Sequence, residues 1–215
     1  IDNGLNGLLL TLWDDDSPHF ELYTRGIVAF SEYTWAGEKR TKDNLKSAYR
    51  QREFTYEVAD ADYAFIDSLE KPVSFWKNAL LNGNRRNYLM RNEDALSEDV
   101  MEMPDPNKKG DWSITNKVRL IAAEKVIKSC DTIALKITAL KSKANRNTYT
   151  LEVYEQVNKL TKYTSKLLVG LKAFDNASDK KQKSHAINDL RKLKDDFTSL
   201  RKEFETIYTF TCTFL

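Results

Sequence analysis

Three consecutive carboxylates, Asp14, Asp15 and Asp16, follow directly on Trp13, and Ser17, Pro18 and His19 follow on them. Adjacent acids repel one another, and a helix start accounts for at most one or two of them through the helix dipole. A carboxylate accepts strong, directional hydrogen bonds from hydroxyls, which is the chemistry that recognises a sugar. General acid–base work and metal ligation use the same groups, and a solvated acidic helix start is the plain alternative. The indole of Trp13 offers flat apolar area on which a sugar ring can stack; the same residue could equally close a core. Side chains alternate along an extended chain, so Trp13 and Asp15 share one side and Asp14 takes the other. His19, in the first helical turn, is within reach of the same pocket, although a surface or capping role serves it as well. A hydrolytic triad of Ser17, His19 and an Asp is disfavoured, because residues so close in sequence cannot easily form the relay and the nucleophile-elbow spacing is missing.

The elements that must hold these residues can be read from the flanking sequence. Leu8 to Leu12 is an almost unbroken apolar run. A strand with one wet face alternates, so this run predicts a strand covered on both faces, as in a parallel sheet. Ser17 suits an N-cap and Pro18 the first helical position, and Phe20, Tyr23, Ile27, Phe30 and Thr34 continue at helical spacing. The result is one βα unit whose polar residues gather at the carboxyl end of the strand, where α/β barrels and open sheets bind ligands. A lone strand has no sheet to join. We therefore expect the chain to be the C-terminal piece of a larger protein: the last strand and helix of an α/β domain, then a helical domain.

Composition sets the outer limits. The 215 residues include 31% charged side chains, only seven Gly and four Pro, and a net charge of +2. This favours a mainly α chain with enough length for a proper core and argues against a nucleic-acid partner. No apolar run reaches membrane-spanning length. Two Cys, Cys130 and Cys212, and two His offer no spacing suited to structural zinc, and no cofactor or metal is implied.

Along the chain, Trp35-Ala36-Gly37 is a helix stop. A second helix is predicted over 41–54, with Leu45, Ala48, Tyr49 and Phe54 inward. A third covers about 60–81, kinked or split by Pro72. Asn82-Gly83-Asn84 is a turn, and residues 91–111, with Pro104, Pro106 and Gly110, read as a loop or linker with a short helix near Leu96. Three long helical patterns follow. Their stripes are Ile114, Val118, Ile121, Val126, Cys130, Ile133, Ile137 and Leu140; then Leu151, Tyr154, Val157, Leu160, Leu167, Leu171 and Phe174; then Ile187, Leu190, Leu193, Phe197, Leu200, Phe204, Ile207 and Tyr208. Each pattern gives a helix roughly 45 Å long, and the short polar breaks between them predict a three-helix up-down-up bundle. The organisation is thus a βα unit over 1–37, connecting helices over 38–90, a linker over 91–111, the bundle over 112–208, and an apolar, β-prone tail over 209–215. Trp76 and Trp112 read as core, and Lys180-Lys181-Gln182-Lys183 as a solvated helix start.

The run Leu12-Trp13-Asp14-Asp15-Asp16-Ser17-Pro18-His19, with Ser31-Glu32-Tyr33-Thr34-Trp35 at the end of the next helix, resembles the last barrel strand and helix of glycoside hydrolase family 20. These are β-N-acetylhexosaminidases, and the likeness is to a divergent bacterial branch. It implies a residual unit of a (β/α)8 barrel, with Trp13 in the place of the family Trp that walls the sugar pocket. Asp15 stands where the family has a Glu that hydrogen-bonds sugar hydroxyls, one methylene longer. The resemblance assigns no role to Asp14, Asp16 or His19. It implies a carbohydrate substrate bound through the parent barrel and a secreted or periplasmic location. The family's catalytic Asp–Glu pair lies on the fourth strand, which this chain lacks, so the chain alone is not expected to be catalytic. The alternative is a non-enzymatic helical module that binds a protein partner or oligomerises through the bundle.

Overall fold

The computed structural model describes residues 4, 7–11, 20–36, 38, 40–55, 63–81 and 100–212. The described chain is mainly helical. A 3-10 turn, Phe20–Leu22, leads into α1, Thr24–Trp35. Then come α2, Lys42–Glu53, and α3, Phe65–Asn78. A short α4, Asp111–Thr115, precedes the long helices α5, Lys117–Lys141, α6, Thr148–Asn176, and α7, Lys180–Cys212. By contact the chain divides into two units, 1–64 with 136–154 and 65–135 with 155–215.

Residues 7–11 lie outside regular secondary structure, and Leu8, Leu9 and Leu10 are exposed, Leu9 by 86%. The buried strand expected here is not formed at these residues. A strand needs a neighbour to take its N–H and C=O groups, and the described residues contain only an isolated bridge, Leu81 to Val100.

In the first unit, α2 forms as the sequence predicts. Thr41 caps it, its Oγ1 accepting from the Asn44 N–H at 3.3 Å, and Leu45, Tyr49 and Phe54 are buried. The carbonyls at its C-terminus would otherwise be orphaned. The turn between α5 and α6 supplies the donors: Arg146 Nη2 to Gln51 O at 3.2 Å, Asn147 Nδ2 to Glu53 O at 2.9 Å, and the Asn145 N–H to Phe54 O at 3.3 Å. Asn147 takes φ +48° there, a left-handed conformation that Asn tolerates. Phe54 also stacks on Tyr63, with centroids 5.9 Å apart, and the Tyr63 hydroxyl donates to Thr55 O at 2.7 Å.

In the second unit, a core of Ala79, Met101, Trp112, Leu120, Ala123, Leu168 and Leu171 joins the end of α3 to α5 and α6. Pro72 lies within α3 without splitting it. The stripe expected at the start of α5 is out of phase: Ile114, Val118 and Ile121 are exposed, by 75%, 83% and 44%. The expected stripe contains a break of phase, a five-residue step from Ile121 to Val126 that no single helix face spans; counted back from the buried Val126 in threes and fours, the inner row is Ala123, Leu120 and, beyond the turn at Asn116, Trp112. Beyond that break the expected inner residues Cys130 and Ile133 are buried.

Two buried amides link α6 to its neighbours in this unit. Asn158 Nδ2 donates to Cys130 O of α5, and Gln156 Nε2 to Leu200 O of α7, both at 2.9 Å. Near Gly170 the side chains come so close that an added Cβ would lie 2.8 Å from Leu190 Cδ2. The last helix continues through Thr209–Cys212, where the sequence suggests a β-prone tail; a side-chain bond from Thr209 Oγ1 to Glu205 O is one of its contacts there. No helix among the described residues is long and apolar enough to cross a membrane.

Candidate functional site

The sequence places its candidate sugar contacts at Trp13, Asp14, Asp15, Asp16 and His19. All five lie outside the described residues, together with the proposed cap Ser17 and with Pro18. What the structure does show is the helix that follows them. No residue of α1 is buried, although the helix carries Ile27, Val28, Phe30, Tyr33 and Trp35. Ile27 and Val28 are each 36% exposed and Trp35 is 89% exposed. An amphipathic helix of a finished domain turns such a face to a core.

The end of α1 has polar order of its own. Glu32 pairs with Arg40 at 3.1 Å, and the Tyr33 hydroxyl donates to Arg40 O at 3.1 Å. Ser31 Oγ and Thr34 Oγ1 donate back to Ile27 O and Phe30 O within the helix. These contacts fix the segment after α1, while Phe30 stays half-buried and Trp35 exposed.

The second unit holds a cleft where the sequence predicts a linker. It measures about 340 Å³ and lies between the loop over 101–110 and the α4–α5 start. Its walls include Met101, Met103 and Trp112 with Glu102, Asp105, Asp111 and one cation, Lys108. The loop is tied down along its length. The Met101 N–H donates to Leu80 O at 2.9 Å, Trp112 Nε1 to Glu102 O at 2.7 Å, and Lys183 Nζ to Pro106 O at 2.8 Å. Arg119 Nη2 reaches Leu81 O at 2.6 Å, and burial lowers its pKa. Asp175, itself buried, caps α4 from the far end of α6: its Oδ2 accepts from the Ser113 N–H at 2.8 Å. The local signals were present: prolines at 104 and 106, an Asx turn from the Asn107 N–H to Asp105 Oδ1, and Gly110 at φ +84°.

A second groove, about 320 Å³, runs between α6 and α7 and is lined by Lys159, Lys162, Lys166 and Tyr163 opposite Asp196 and Glu203. Its lysines are largely neutralised already. Lys159 bonds Glu203 at 2.9 Å and Glu155 at 3.1 Å, and Lys162 pairs with Asp131.

None of the described groups with a shifted pKa is set up as a nucleophile or base. Burial holds the Cys130 thiol up at about 12, and it is a free, fully buried cysteine. Burial raises Tyr154 to about 12 and Tyr49 further, each hydroxyl beside the other. Among the described residues no group of three or more His, Cys, Asp or Glu could hold a metal ion.

Compared with known families, with curated proteins and with solved structures, the chain shows no match.

Proposed function

We propose that this chain is the C-terminal region of a glycoside hydrolase of the β-N-acetylhexosaminidase type. Residues 1–36 would be the last βα unit of its barrel, and 112–208 a three-helix up-down-up bundle that braces it. The observation that carries this reading is the uncovered apolar surface of one segment: exposed Leu8, Leu9 and Leu10, then a helix with no buried residue and Trp35 almost fully in water. Both elements have the character of parts whose other half is a sheet and its neighbouring helices. The Trp13–Asp15 motif between them supplies the chemistry. Trp13 stacks on the sugar ring and Asp15 accepts from sugar hydroxyls, so the segment forms one wall of the pocket. The general acid belongs to the missing part of the barrel, and this chain supplies no catalytic group. A secreted or periplasmic location goes with the same reading.

The test is kinetic and uses the intact glycosidase that contains these residues. Trp13→Ala is expected to lower kcat/KM on an N-acetylglucosaminide by about 2 kcal/mol or more, roughly 30-fold, and Asp15→Asn by a smaller factor. Unchanged kinetics in both variants would remove the segment from the sugar site.

The alternative, a helical module that binds a protein partner, is favoured by one observation: the described members of the core around Trp112, Leu120 and Leu168 all belong to the second unit. Partner binding that survives deletion of 1–36 would favour it.

A further inference from the structure

Two exposed surfaces of the second unit are complementary. The first is the cleft beside α4. Its rim carries Glu102, Asp105 and Asp111 against the single cation Lys108. Next to it rises an apolar ridge of Met103, Ile114 and Val118, exposed by 62%, 75% and 83%. These are aliphatic side chains in water on a well-tied part of the chain, beyond the scattered exposure that needs no explanation. The acids alone would say little; the ridge beside them specifies a partner that is cationic and aliphatic at once.

The chain itself carries such a surface. On α7, Lys180, Ile187, Arg191 and Lys194 recur at helical steps of seven, four and three, which places them on one face, and all four are exposed. Over 180–194 the basic residues face only one acid, Asp189, which is engaged by Lys192 at 3.3 Å. The two surfaces adjoin within one molecule, because Lys183 Nζ bonds Pro106 O of the cleft loop at 2.8 Å. A twofold axis near that contact would set each cleft against the other copy's α7, the arrangement an isologous pair requires.

We propose that a second copy of this chain docks here, with the Lys180–Lys194 face of α7 against the acidic cleft and the Ile114–Val118 ridge. This proposal does not depend on the glycosidase reading, since it uses no residue before Glu102.

Sedimentation velocity of the 215-residue chain tests it. A doubling of mass is expected as the concentration rises to roughly 100 µM, the range of a pair held by a modest surface. Raising salt from about 0.05 to 0.5 M should weaken the pair at least ~10-fold, because screening acts on exposed charges. Glu102→Lys with Asp111→Lys should abolish pairing, as should Arg191→Glu with Lys194→Glu, with helical content and melting temperature unchanged. The chain carrying all four reversals should pair again, because both surfaces then change sign together. A monomer throughout overturns the proposal. So does self-association that ignores salt and the reversals, which would point to the exposed leucines of 8–10 instead.

Discussion

The segment from Gly7 to Trp35 and the helices from Lys117 onward use the same apolar residue types to opposite ends. In the long helices an inner row is sealed, with Leu120, Cys130, Ile133, Ile137, Leu151 and Leu168 all at 2% exposure or less, while Val118, Ile121, Leu135 and Ile187 stay exposed on the outer faces. In the first segment Leu9 and Trp35 stand in water, Leu8 is half exposed, and Ile27 and Val28 are about two-thirds covered. At about 25 cal/mol per Å² of apolar surface, burial is what stabilises a helix in a protein, since propensity contributes little. Among the described residues the long helices, with α2 and Phe54–Leu69, therefore supply most of the buried apolar surface, and α1 supplies little. Hydrophobicity of sequence says that a segment wants a partner; only the structure says whether the partner is present.

The largest expected effects sharpen that contrast. Leu168→Ala, at a fully buried core position, should cost about 2–5 kcal/mol in urea unfolding, whereas Leu9→Ala should stay within about 0.5 kcal/mol. Similar losses at both positions would break the comparison. Gly170→Val places branched carbon where Leu190 and Leu193 already sit, and overpacking of that kind costs about 1–3 kcal/mol. A neutral result would mean that α7 moves aside freely.

Alkaline pH probes the same interior. Cys130 and Tyr154 hold their protons more tightly folded than unfolded, with pKa values pushed up to about 12 in each case. Between their unfolded values and pH 12 the folded state binds more protons, so stability is complete below about pH 9 and falls as pH rises. The loss is at most about 1.4 kcal/mol per pH unit for each group. Melting temperatures measured from pH 8 to 11 should decline from about pH 9 upward, and Cys130→Ala should delay the onset. A flat profile would mean that neither group is sequestered. The smallest effect is expected at the surface: Lys172→Ala, which removes the 2.7 Å pair with Glu124, should change stability by less than about 1 kcal/mol.

Much of the helical pattern was legible. The Thr41 start, the inward Leu45, Tyr49 and Phe54, the row from Val126 to Leu140 and the inward Leu151, Tyr154, Val157 and Leu171 follow from spacing and caps, whereas on α7 the expected Leu200 is buried but Ile187 and Phe197 are exposed. At the start of α5 apolar identity alone picks the wrong face: Ile114, Val118 and Ile121 lie on one side of the helix and Val126 on another, five residues on, and only the inner row of Leu120, Ala123 and Val126 meets a core. The cleft over 101–116 was missed for another reason. Prolines and charged residues read as linker, yet the contacts that fix this loop come from Leu80, Arg119 and Lys183, distant in sequence and invisible to any local pattern. The candidate sugar contacts from Trp13 to His19 were named from motif alone. The helix after them, α1, is described, and it has no fully buried residue.

Amide hydrogen exchange along α1 tests the account most directly. It should be followed in the 215-residue chain and in a longer polypeptide that carries the proposed barrel. The account predicts that residues 24–35 exchange far faster than 120–140 in the shorter chain and become protected in the longer one. Protection of 24–35 equal to that of the long helices in the shorter chain would contradict it.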